Sequence, residues 1–98
     1  MTDKLKSFGW PVLEVNGHDI AQVDKALDQA EATNGGPTFI VAHTVKGKGV
    51  SFMENDPEWH GKAPKPEEAV RAIHEILGTP EPAWAAPVIA ELAALGKK

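Results

Sequence analysis

Residues 38–44, TFIVAHT, are nearly continuous in apolar side chains, and the reading of this run decides the fold. A short run without polar alternation suits a strand covered on both faces, as in a parallel sheet. Upstream, residues 10–15, WPVLEV, form a second short apolar run, with Pro11 fit only for a strand's first position. Asn16 and Gly17 end it with turn chemistry. Between the two runs, HDIAQVDKALDQAEA (residues 18–32) has a helical period, with Ile20, Val23, Leu27 and Ala30 on one stripe. Asp24, Lys25, Asp28 and Glu31 fall off that stripe, Asp19 is placed as N-cap, and Gln22 completes a box-like start. Asn34, Gly35 and Gly36 supply a left-handed stop before Pro37. Strand, helix and strand predict one βαβ parallel unit with a right-handed crossover.

The second strand leads directly into residues 44–64, TVKGKGVSFMENDPEWHGKAP, which hold no sustained period. Connections longer than about 12–15 residues are uncommon in compact domains and are usually functional or disordered. In open parallel sheets the carboxyl ends of the strands are where ligands bind. Beyond this loop, Pro66, Glu67 and Glu68 form a helix first turn. Ala69, Val70, Ile73, Ile76 and Leu77 are that helix's expected buried face, and Gly78 closes it. TPEPAWAAP (residues 79–87) is a proline-punctuated linker and VIAELAAL (residues 88–95) a short final helix. Two strands do not make a stable sheet by themselves. The chain is therefore expected to be part of something larger.

Composition narrows the function classes. The 98 residues allow one small domain, with 42% hydrophobic and 24% charged residues, as in a soluble globular protein. A formal net charge of −4 argues against a nucleic-acid partner. The absence of cysteine removes disulfide and thiolate chemistry. The N-terminal MTDKLKSFGW lacks a signal peptide's apolar core, and no run approaches the ~20 apolar residues of a membrane span. A cytoplasmic location without a membrane partner is the expectation.

Within the loop, Gly47 and Gly49 permit positive φ and close backbone approach, which suits amide donors turned toward an anion, and Lys46 adds a point charge beside them. The same residues also suit a flexible, solubilising surface loop. His60, between Trp59 and Gly61, can shuttle a proton near neutral pH or simply hydrogen-bond backbone. His18, His43 and His74 read as structural residues, and no pair has a metal-ligand spacing. Glu54, Asp56 and Glu58 read as a solvated acidic stretch. No metal ligand is assigned.

Taken in order, FGWPVLEVNGHDI, PTFIVAHTVKGKGVSFMEND and EWHGKAP resemble transketolase, most closely the N-terminal subunit of the two-subunit bacterial form. The resemblance covers about residues 3 to 78. Deoxyxylulose-phosphate synthases share a Gly-Lys-Gly segment before a loop histidine, but their loop differs around SFMEN and WHGKAP. The resemblance implies an α/β chain with part of a thiamine-diphosphate-binding fold: the βαβ unit, a long active-site loop and C-terminal helices. It implies transfer of a two-carbon ketol unit from a ketose phosphate to an aldose phosphate. By position, Lys46, Gly47 and Gly49 would lie against thiamine diphosphate, and His60 would contact the donor sugar near the reacting carbon. Mg2+ accompanies the cofactor in that family, but the Gly-Asp-Gly segment of the diphosphate and magnesium site is not in this sequence.

Residues 1–78 are accordingly expected to be the C-terminal portion of a cofactor-binding domain, truncated upstream, with 79–98 a linker and terminal helix. The implied partners are a C-terminal transketolase subunit, the missing N-terminal portion and sugar phosphates, in an oligomer when complete. The isolated chain is expected to be inactive. The alternative is a small non-enzymatic βαβ module that binds phosphate or another protein.

Overall fold

A computed structural model describes residues 1–97; Lys98, the end of the 79–98 segment, lies outside the described residues. The chain divides into two compact units, Met1–Thr44 and Val45 onward.

The first unit is the βαβ element. Strand β1 (Val12–Asn16) pairs in parallel with β2 (Phe39–His43), in a register running from Val12 opposite Phe39 to Asn16 opposite His43. Pro11 stays outside the strand, where only its carbonyl is needed, and that carbonyl accepts from the Phe39 N–H at 2.9 Å. Trp10 and Phe39 meet edge to face at 5.0 Å beside it. Gly17 follows β1 and donates its N–H to the His43 carbonyl at 2.8 Å. A Cβ there would stand 2.5 Å from the Thr44 methyl and 3.2 Å from the Ala42 Cβ, so only glycine passes without displacing its neighbours.

A six-residue helix, α1 (Thr2–Ser7), precedes β1 and is additional to the elements that the sequence pattern predicts. Its Thr2 hydroxyl donates to Glu14 of β1 at 2.7 Å. Helix α2 (Ile20–Ala32) starts where the cap chemistry places it. Asp19 Oδ1 accepts from the Gln22 N–H at 3.2 Å, and the Gln22 amide group returns to Asp19 Oδ2 at 3.1 Å. The stop differs from the expectation. The helix ends at Thr33, in extended conformation, whose hydroxyl donates to the Gln29 carbonyl, and the glycines come after this cap. The apolar stripe is also only partly used. Ala26 is buried, but Ile20 is 85% and Leu27 56% exposed. Two strands offer a face too narrow for the full stripe, and for the same reason β2 is not covered on both faces: Phe39, Ala42 and His43 remain exposed.

The second unit comprises the long loop, a 3-10 turn at Pro57–His60, helix α3 (Pro66–Leu77) and helix α4 (Ala86–Leu95). Helix α3 opens with Pro66 at its first position, and Glu68 accepts from the Lys65 N–H at 2.9 Å. It closes at Gly78, with φ 88°, whose N–H bonds the His74 carbonyl. Val50, Ala85 and Ile89 form the buried centre of this unit. Ile76, expected on the buried face of α3, is 61% exposed. No helix among the described residues is long and apolar enough to cross a membrane.

Candidate active site

The long loop is held together although it has no repeating pattern. Three of its backbone groups close the first turn: the Lys48 N–H donates to Val45 O, the Val50 N–H to Gly47 O, and the Asn55 N–H to Lys46 O at 2.9 Å. That last bond joins the two limbs of the loop. Gly47 makes the approach possible. It has φ +73°, and a Cβ on it would lie 2.6 Å from the Met53 carbonyl oxygen. Asn55 takes the other unusual conformation, φ 57°, which asparagine tolerates better than most residues. Val50, buried at 6% exposure, is the loop's own core residue.

The acidic stretch is not merely solvated. Glu54 Oε1 accepts from the Gly49 N–H at 3.0 Å, and Asp56 caps the 3-10 turn by accepting from the Glu58 N–H at 3.0 Å. Asp56-Pro57-Glu58 is a cap, a proline at the first turn position and an acid in the first turn, a signal readable in the sequence. Ser51 is tied to α3: its N–H donates to Glu75 Oε2 at 2.7 Å and its hydroxyl to Glu75 Oε1. The two Ser51 hydrogen bonds, hydroxyl first, hold the Glu75 carboxyl below the usual carboxylate range.

Of the residues singled out from the sequence, Lys46, Gly47 and Gly49 share the first turn, and His60 is the last residue of the 3-10 turn. No hydrogen bond or ion pair among the described residues joins the two groups directly; Asn55, bonded to Lys46 O, and the Asp56 cap lead from one to the other. Lys46 and His60 are both exposed. The positive φ of Gly47 and Gly49 is as expected, at 73° and 96°. The amides are not arranged as an open anion cradle, because those of Lys48, Gly49 and Val50 already have internal acceptors. An autonomous phosphate-binding module would lose those three donors. Among the described residues no group of three or more His, Cys, Asp or Glu side chains is placed to hold a metal ion.

A second polar cluster joins α1 to the two strands. Glu14 accepts from Thr2 and pairs with His43 Nε2 at 3.0 Å, and these bonds, Thr2 first, lower the Glu14 pKa. His74, half-buried on α3, lies 3.3 Å from Glu81. Both histidines thus have structural partners.

Residues 1–95 match the family described as "Transketolase, thiamine diphosphate binding domain". The chain is 38% identical over 76 residues to an apulose-4-phosphate transketolase subunit of Phocaeicola vulgatus, an alignment covering 78% of this chain and 27% of that protein. It is 42% identical over 73 residues to the corresponding apulose-4-phosphate transketolase subunit of Actinobacillus succinogenes, covering 74% and 26%. With human transketolase the identity is 37% over 73 residues, covering 74% of this chain and 11% of that protein. The chain thus spans about a quarter of the length of the two bacterial relatives.

Proposed function

The chain belongs to the thiamine-diphosphate-binding domain family of the transketolases, and from that premise we propose that it is part of an enzyme moving a two-carbon ketol unit from a ketose phosphate to an aldose phosphate. The observation that carries this reading is the internally tied loop that keeps Lys46 and His60 exposed on fixed backbone. Thiamine diphosphate, when bound, supplies the carbanion stabilisation that breaking the C2–C3 bond requires.

In this reading His60 contacts the donor sugar and moves a proton to or from its oxygen near the reacting carbon. Lys46 sets a cation beside the cofactor, while Gly47 and Gly49 allow close backbone passage. The fit is to a position flanking the cofactor rather than to its diphosphate, since the Lys48, Gly49 and Val50 amides are engaged internally. Hard oxygen ligands for Mg2+ would come from other segments. Residues 1–78 would enter the cofactor-binding domain, with 79–98 appended as linker and helix.

Because the chain covers only about a quarter of its bacterial relatives, ketol transfer would need the remaining segments and a partner protein, and the isolated chain would be inactive. The test is to combine the full chain with those segments, the partner protein, thiamine diphosphate and Mg2+, and to follow ketol transfer between sugar phosphates. His60→Ala should then lower turnover at least about tenfold, equivalent to ~1.4 kcal/mol in the barrier. A well-folded complex that transfers nothing would refute the proposal, and unchanged kinetics in the variant would remove His60 from the site.

A further inference from the structure

The loop carries an arrangement that the ketol-transfer reading leaves unexplained. Four side chains form one continuous stack. The Arg71 guanidinium lies 4.5 Å over the Phe52 ring, Phe52 meets Trp59 edge to face at 5.6 Å, and the Lys62 ammonium lies 4.3 Å over the Trp59 ring. Each ring meets a cation and another ring, an alternation that satisfies the quadrupole of both aromatics. Arg71 and Glu75 are one helical turn apart on α3, so one face of that helix grips two consecutive loop residues, Phe52 and Ser51.

His60 lies in the chain between Trp59 and Lys62, two members of this stack. Trp59 and Lys62 are three positions apart and in contact, so His60 and Gly61 form the outside of a closed turn. Both are exposed, while Trp59 is half-buried. Trp59, just before His60, is held by its ring contact with Phe52, and earlier in the same turn Asp56 accepts from the Glu58 N–H.

Resting on the reading of His60 as a site residue, we propose that the Arg71–Phe52–Trp59–Lys62 stack, anchored by Ser51–Glu75, is a positioning device that fixes the turn carrying His60 and so the place from which its side chain reaches the sugar-phosphate donor. Phe52, Trp59, Lys62 and Arg71 are positioning residues in this scheme and act through His60. Lys62 therefore contributes by its place over Trp59, not by binding the substrate's phosphate.

The experiment has two readouts. In the full chain, the backbone amide relaxation of His60 and Gly61 is measured by NMR for Trp59→Leu, Lys62→Met and Lys62→Arg. The first two should raise the mobility of these two amides, and Lys62→Arg should leave it unchanged because the cation stays over the ring. In the assembled ketol-transfer assay, Lys62→Met should lower kcat about threefold with the affinity for thiamine diphosphate unchanged, and Lys62→Arg should restore kcat. The Trp59→Leu/Lys62→Met double variant should be no slower than Trp59→Leu, since both changes break one chain of contacts. Lys62→Met, at an exposed position, serves where Trp59→Leu fails to fold.

Unchanged amide mobility at His60 and Gly61 and unchanged kcat in both single variants, with His60→Ala still slow, would overturn the positioning role and leave the functional reading standing. Additive losses, with Lys62→Met acting on the KM of the phosphorylated donor alone, would also overturn it by making Lys62 a substrate contact. If His60→Ala is itself harmless, the functional reading falls and this inference falls with it.

Discussion

The two units of the chain reach order by opposite routes. Met1–Thr44 is made of regular elements held by ladder and helix hydrogen bonds, yet Ala26 is its one buried apolar residue. From Val45 onward, the loop has no period, yet it owns Val50 as a core residue and is tied by Asn55, Glu54, Asp56 and Glu75 through individual bonds. Regular backbone is therefore no measure of how well a segment is fixed. A strand pair satisfies its backbone groups without burying much surface, whereas an irregular loop must place a specific partner at each polar group it hides.

That contrast can be broken most sharply at Gly47. Gly47→Ala forces a Cβ against the Met53 carbonyl in a left-handed conformation and should cost about 2 kcal/mol or more. Amide exchange should accelerate across residues 45–61 while the strand amides of Val12–Asn16 keep their protection; equal loss in both would show that the units are not separately stabilised. Val50→Ala comes next, at about 1–2 kcal/mol, because it empties the loop's own core. A smaller loss than that on chemical unfolding would mean the hydrogen bonds alone hold the loop.

In the first unit the corresponding test is Asp19→Ala. Loss of the cap on α2 should cost about 1 kcal/mol, read from thermal unfolding and from exchange at Gln22. The smallest effect is a pH dependence. The Glu75 carboxyl has a folded-state pKa lowered from 4.5, so its tether to Ser51 is fully present above pH 4.5 and is lost as pH falls through the lowered value. Glu14 shifts in the same direction through Thr2 and His43, so the first unit carries a tether of the same sign. Ser51 and Thr2 amide shifts should follow these titrations separately, and Glu75→Gln should flatten the first and spare the second.

Much of the fold is legible from local pattern. Asp19, Pro66 and Gly78 mark helix ends because capping is settled within a few residues. What local pattern misjudges is coverage. Ile20, Leu27 and Ile76 sit at correct helical spacing, but whether a face is buried depends on what stands opposite it, and periodicity carries no record of that. Helix α1 is illegible because six residues with no side-chain cap give too little signal. In the site, the glycines and the Asp56 cap are readable, whereas Ser51–Glu75 and Phe52–Arg71 join positions far apart in sequence that only the folded chain brings together. Lys46 and His60 stand out by resemblance, and both are exposed.

The parallel register of β1 and β2 also sets what must happen before they pair. Val12 lies opposite Phe39, and all of α2 intervenes between them, so no ladder bond can form until that whole stretch has been traversed and its ends brought together. Closing such a loop costs entropy before any pairing repays it, while a capped helix can assemble from near neighbours. The helix needs no such closure, whereas the strand pair does, and once paired β1 and β2 each still present one unoccupied edge to a further strand.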